Sequence, residues 1–113
     1  NCLTRLPLGD CRSVPKTRAL MVNLAAETVA VARALNIPLP DNQVDLTMKL
    51  LDALPATMKA SILAALERGE KLEASALNGA IERLGKENNI DTPSHRAVYA
   101  ALAPHENGIP NAL

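Results

Sequence analysis

A chain of 113 residues fits one domain, and its twelve basic and twelve acidic side chains cancel. It has no basic block to neutralise phosphates, which argues against nucleic acid as a partner. Nor does it have an apolar run near the ~20 residues that span a bilayer, or a leader pattern at its start, so the expected setting is the cytoplasm.

Nineteen Ala, eighteen Leu and a single aromatic residue, Tyr99, describe a core of small aliphatic side chains. Such a core favours closely packed helices, each burying modest area. Residues 1–13 read as a helix end followed by a loop, broken by Pro7 and Gly9. Opening inside a helix suggests a start partway through a longer protein. A long helix is expected from about Pro15 to Leu35, with Ser13 as cap and Leu20, Leu24, Val31 and Leu35 as its main stripe. Glu27 falls on that stripe and is expected to pair with an arginine such as Arg18 or Arg83. Asn36 suits a left-handed stop, and Pro38 and Pro40 enforce an extended connector.

Asp41 can cap a second helix, Asn42 to Leu54, which buries Val44, Met48, Leu51 and Leu54. Pro55 ends it and opens a third helix running to Arg68, with Ile62, Leu63 and Leu66 inward. Gly69 separates this from a fourth helix, Lys71 to Glu87, striped by Leu77, Ala80, Ile81 and Leu84. Asn78-Gly79 then falls inside a helix, at a propensity cost of ~1 kcal/mol for the glycine. Thr92-Pro93 is a strong start signal for the last helix, which Pro104 closes. With no sustained period-two pattern, the chain reads as all-α. Residues 1–104 form the domain, and 105–113 a loose tail. Cys2 and Cys11 match no metal or redox spacing and read as reduced thiols. His95 and His105 have no partner at ligand spacing, and no metal is expected. Lys16, Lys49, Lys59, Lys71 and Lys86 read as solvated charges.

Glu73 lies one turn before Leu77 and so continues the stripe toward the start of the fourth helix. A carboxylate there faces the interior or a cleft, and the helix terminus stabilises its charge by a few tenths to ~1 kcal/mol. As a first-turn residue it could do no more than complement the helix dipole. As a fixed acceptor in a water-poor cleft it could assist a reaction.

The stretch Ser61 to Gly79 resembles the C-terminal domain of ketopantoate reductases, whose pattern is roughly Ser-Met-Leu-x-Asp-Leu-x-x-Gly-Arg-x-Thr-Glu-Ile-Asp-x-Leu-Asn-Gly. Ser61, Leu63, Leu66, Gly69, Glu73, Leu77, Asn78 and Gly79 fall in register without a gap. The match continues through Gly85, Ile90, Thr92-Pro93, Arg96 and Tyr99, and upstream Glu27 to Ala32 and Leu3 to Gly9 are similar to the family's segments. The departures are Ala65 for Asp, Glu70 for Arg, Leu72 for Thr, Ser75 for Asp and His95 for Asn; they bear on the substrate and leave the Ser/Glu pair intact.

The resemblance implies a compact bundle of about five helices, like the C-terminal domain of the 6-phosphogluconate dehydrogenase-like reductases. It implies a substrate-binding part of an oxidoreductase that reduces a 2-keto acid with NADPH. Glu73 would be catalytic, near the reacting oxygen, and Ser61 would donate to the substrate carboxylate. Asn1 would match the second Asn of the family's catalytic helix, and Asn78 is a further candidate ligand, although capping or a hydrogen bond between helices suits it better. The general-acid Lys would lie before residue 1. NADPH would be held mainly by an N-terminal dinucleotide-binding domain, because this chain has no G-x-G-x-x-G and no strands. Alone, the chain is expected to be inactive and to pair as a homodimer through an Ala-rich face. The other reading is a stand-alone helical interaction or dimerisation module, with Glu73 and Ser61 structural.

Overall fold

The computed structural model describes residues 1–108. Among these residues six helices follow one another: α1 (Leu8–Ser13), α2 (Pro15–Ala34), α3 (Gln43–Ala53), α4 (Ser61–Glu67), α5 (Asn78–Glu87) and α6 (Pro93–Leu102), with a 3-10 turn at Ala103–His105. The all-α expectation holds. The molecule measures 45 × 33 × 20 Å, and its thin dimension is close to two helix diameters. It is therefore a two-layer stack, in which α2 touches α1, α3, α5 and α6.

Local signals fix several boundaries. Pro15 opens α2. Asn36 (φ 61°) stops it in the left-handed conformation, and Gly69 (φ 68°) turns the chain after α4. The core gathers Cys2, Leu63, Leu66, Leu72, Ala74, Val98 and Leu102 from widely separated segments, with Leu24, Ile62 and Ala65 packed against it. Leu35, placed on the main α2 stripe, is exposed instead, and Val29 is buried beside Val31. Cys2 and Cys11 are both free and buried. Burial pushes the Cys2 thiol above its ordinary pKa, which holds it in the unreactive protonated form.

Several expected ends are corrected. Pro7 and Gly9 do not break a helix: Pro7 precedes α1, and Gly9 lies within it. The Leu8 and Gly9 N–H groups donate to the Met58 and Ala56 carbonyls (2.8 and 2.9 Å), which ties α1 to the stretch after α3. That stretch, 55–60, is not helical, so the third expected helix shrinks to α4.

No helix is capped by its expected side chain. Ser13 donates backward to the Gly9 carbonyl. Neither Asp41 nor Thr92 caps the helix that follows it. Distant residues do the work instead. Arg12 on α1 donates to the Leu51 and Leu54 carbonyls (2.9 and 2.7 Å) and so satisfies the end of α3. Glu27 on α2 accepts the Ser94 and His95 N–H groups at the start of α6. Glu27 thus pairs with backbone rather than with an arginine, and Arg18 pairs with Asp52 (2.7 Å).

The tail expected to be loose from His105 is held as far as Gly108. The Glu106 carbonyl accepts the Leu72 N–H (2.9 Å), and Lys71 bridges to Asn107. Residues 109–113 lie outside the described part. Among the described residues no helix is long and apolar enough to cross a membrane.

Candidate functional site

The largest correction falls on residues 71–77. The fourth helix was expected to begin at Lys71, but α5 begins at Asn78, after a turn over 74–77. Leu72 and Ala74 are buried (6% and 0% exposed), while Lys71, Glu73 and Ser75, which alternate with them, are exposed. Residues 71–73 are extended chain, and the Glu73 carbonyl then accepts the Ala76 and Leu77 N–H groups (3.1 and 3.0 Å) in a single turn separate from α5. Glu106 clamps the segment, accepting the Leu72 N–H through its carbonyl and the Ser75 N–H through Oε1 (3.0 Å). The stabilisation of Glu73 by a helix terminus therefore lapses. Leu77 is exposed rather than part of a buried stripe.

Glu73 nevertheless lines a cleft, and Ser61 lines the same one. It has a volume of about 250 Å³, and Ile62, Ala65, Glu70 and Lys71 complete its wall. Ser61 is the first residue of α4, and its exposed hydroxyl stands where the chain turns into the helix. Glu70 is already matched: Arg68 grips its carboxylate at 2.7 and 2.9 Å. This pairing holds the Glu70 carboxyl below its ordinary pKa through the hydrogen bond first and charge second, so Glu70 is ionised and locally neutralised. The cleft thus offers a hydroxyl donor, a cation at Lys71 and a carboxylate acceptor at Glu73. Such a set can hold a small polar molecule with acidic and carbonyl ends.

Asn1 does not line this cleft but braces the backbone just before α4. Its Oδ1 accepts the Ala60 N–H (3.2 Å), one residue before Ser61, and its Nδ2 donates to the Leu6 carbonyl (2.8 Å). Asn78 lies elsewhere. Its Nδ2 donates to His95 Nδ1 (3.0 Å), and both line a separate cleft of about 310 Å³ with Thr28, Ala76, Leu77, Ala80 and Ile81. His95 is buried, and its Nε2–H donates to the Leu24 carbonyl (2.9 Å). Thr28 Oγ1, itself donating to Leu24, sits 2.9 Å from the same nitrogen. Asn78 thus joins α5 to α6 and, through His95, to α2. Helix spacing could not separate it from Glu73, because the break before α5 was not foreseen. Lys71, a solvated charge by sequence alone, lines the cleft with Glu73, and its place two residues before Glu73 is the sequence signal for that.

The described helices contain no strand–turn–helix unit and no glycine-rich phosphate turn, so these residues do not fit a dinucleotide cradle.

Residues 1–106 match the family profile described as ketopantoate reductase PanE/ApbA C terminal. The chain is 26% identical over 105 residues to a 2-dehydropantoate 2-reductase of Pyrobaculum aerophilum, covering 93% of this chain and 37% of that protein. It is 33% identical over 90 residues to a 2-dehydropantoate 2-reductase of Mycobacterium tuberculosis, covering 80% and 30%. Among solved structures it is similar to a dimeric ketopantoate reductase of Staphylococcus aureus (TM-score 0.86, 27% identity, 93% of this chain and 37% of that one). It is also similar to a PanE/ApbA family ketopantoate reductase of Ralstonia eutropha (TM-score 0.82, 31% identity, 93% and 35%). The chain spans about a third of the length of these relatives.

Proposed function

The chain belongs to the ketopantoate reductase family through its C-terminal domain, and from that premise we propose that it is the substrate-facing helical part of an oxidoreductase that reduces a 2-keto acid, 2-dehydropantoate or a close relative. The single observation that carries this reading is the meeting of Ser61 and Glu73 in one cleft, although they come from different segments and neither sits in a continuous helix with the other.

A 2-keto acid carries a carboxylate beside a ketone. The Ser61 hydroxyl donates to the carboxylate without adding charge. Glu73 accepts a hydrogen bond near the ketone oxygen, or orients the donor that protonates it. Glu73 stands on clamped, non-helical backbone, so its position is fixed by Glu106 rather than by a helix axis. The nicotinamide, NADPH, would be bound by a dinucleotide-binding domain preceding this one, and the general-acid Lys would also come from there. The reaction would take place in the cytoplasm. Ala65 and Glu70 line the cleft where the family pattern has Asp and Arg, so the charge around the substrate differs from that pattern.

A homodimer fits the exposed apolar residues Leu46 and Leu50 on α3 (40% and 63% exposed) and the dimeric state described for the Staphylococcus aureus relative. Sedimentation that finds only monomer at high concentration would remove that part of the reading.

The test of the activity is NADPH oxidation by the full reading frame that carries this chain. Turnover with branched 2-keto acids is expected, 2-dehydropantoate among them. No turnover across a panel of 2-keto acids, with NADPH or NADH, overturns the proposal.

A further inference from the structure

We propose that Lys71 is the cation that receives the substrate carboxylate in the Ser61–Glu73 cleft, and that it sets the preference for 2-keto acids over neutral ketones. This deepens the reading of the cleft given above and rests on it.

Three observations carry the assignment. First, Lys71 and Glu73 flank the buried Leu72 on one extended segment, so both are exposed, and both line the cleft. Second, the charges of the cleft are otherwise wrong for an acid. Ser61 is neutral, Glu70 is matched by Arg68, and Glu73 repels a carboxylate. Lys71 alone of the lining residues supplies positive charge, and among the described residues it has no ion-pair partner; Lys59 and Lys86 are paired with Glu67 and Glu82. Third, its backbone is fixed. Lys71 bridges to Asn107, and the next residue donates to the Glu106 carbonyl at 2.9 Å. A lysine on clamped backbone loses less freedom on gripping an anion than one on a free loop.

The division of labour follows from the chemistry. The ammonium meets the carboxylate as a charge-assisted hydrogen bond, Ser61 adds a second donor, and Glu73 is left to the ketone end. The carboxylate is equally charged before and after reduction, so Lys71 contributes binding common to ground and transition states, and its loss falls on KM more than on kcat.

The experiment uses the full reading frame, with a branched 2-keto acid and the methyl ketone of the same carbon skeleton as substrates. Lys71→Met keeps the stem and removes the charge; it is expected to raise KM for the acid about tenfold, with a smaller change in kcat, and to leave kcat/KM for the ketone within about twofold. Lys71→Arg retains the charge and is expected to keep the preference for the acid. Circular dichroism checks that the variants are folded. An unaltered protein that reduces acid and ketone equally well overturns the proposal without any variant. So does a folded Lys71→Met whose KM for the acid is unchanged. The second result leaves the reading of the cleft standing, while the first also removes the carboxylate contact given to Ser61. An unaltered protein that reduces no 2-keto acid fails that reading, and the assignment of Lys71 falls with it.

Discussion

The Glu27 carboxylate on α2 accepts the backbone N–H of His95 at 3.0 Å, and its second oxygen accepts that of Ser94, also at 3.0 Å. The first turn of α6 is therefore capped from another helix, 67 and 68 residues away in sequence. A carboxylate is well suited to this place, since the helix N-terminus carries partial positive charge and donors without intrahelical partners. Glu27→Ala removes both bonds in a partly buried setting and is expected to lower unfolding free energy by about 2–3 kcal/mol. Glu27→Gln keeps one acceptor and should cost less. Urea denaturation measures both; an Ala variant within ~0.5 kcal/mol of the unaltered protein would contradict the cap.

Gly79 lies against the Tyr99 ring, and a Cβ at position 79 would overlap ring atoms. Gly79 is the second residue of α5, so Gly79→Ala gains less than the ~1 kcal/mol of a helix interior, and it must push the ring aside at ~1–3 kcal/mol. The prediction is net destabilisation that is relieved when Tyr99→Leu is combined with it. Additive effects in that double variant would show that the ring is not the obstacle.

What was legible in the sequence was local. Thr92-Pro93, Pro15, Asn36 and Gly69 each act through their own backbone, and each marked a boundary where the structure has one. What was not legible depends on residues far apart. The extended course of 71–73 and the turn after it depend on Glu106, and the cap of α6 on Glu27. The end of α3 depends on Arg12. A one-turn offset between Glu73 and Leu77 looks helical from either residue, and the Leu77 N–H does donate to the Glu73 carbonyl (3.0 Å), but that single turn is not part of α5, which starts at Asn78. Ser61 and Glu73 could be paired by resemblance, whereas the part played by Lys71 in the same wall needed the fold.

The pairing of Arg18 with Asp52 gives an acid-dependent contribution to stability. The guanidinium holds the Asp52 carboxyl below its ordinary value of 3.8, through its hydrogen bonds first and its charge second. A lowered folded pKa means that the unfolded chain takes up protons first as pH falls. The contribution is therefore complete above the ordinary value and is lost as pH falls through the lower folded one. Arg18→Met should reduce the thermal midpoint at neutral pH by a small amount, because both partners are exposed. The difference between the two proteins should disappear at strongly acid pH. A difference that grows on acidification would reverse the sign and reject the pairing as its source.

Glu106 makes a prediction about motion. Its carboxylate takes up the Ser75 N–H, while its backbone carbonyl takes the Leu72 N–H. Glu106→Ala removes only the first, so amide exchange at Ser75 should accelerate about tenfold or more while Leu72 stays protected. Glu106→Gln retains an acceptor and should restore most of the protection at Ser75. Equal acceleration at both amides would mean that the whole tail had detached, and that the side chain is not a separate clamp.

Glu73 and Ser61 should fail in different ways in the full reading frame. Glu73 is exposed on extended backbone, and no hydrogen bond within the described residues uses its side chain, so Glu73→Gln should leave stability within ~0.5 kcal/mol. Its effect should fall on turnover, since an acceptor near the reacting oxygen matters most where charge and proton are moving; a loss of about 10²-fold or more fits acid–base assistance. Ser61→Ala removes a donor to a carboxylate that is present throughout the reaction, so KM should rise more than kcat falls. Steady-state kinetics on the two variants, with unfolding measured alongside, separates the roles. If Glu73→Gln retains full turnover, the carboxylate is a surface charge beside the cleft, and the catalytic assignment fails at the residue on which it most depends.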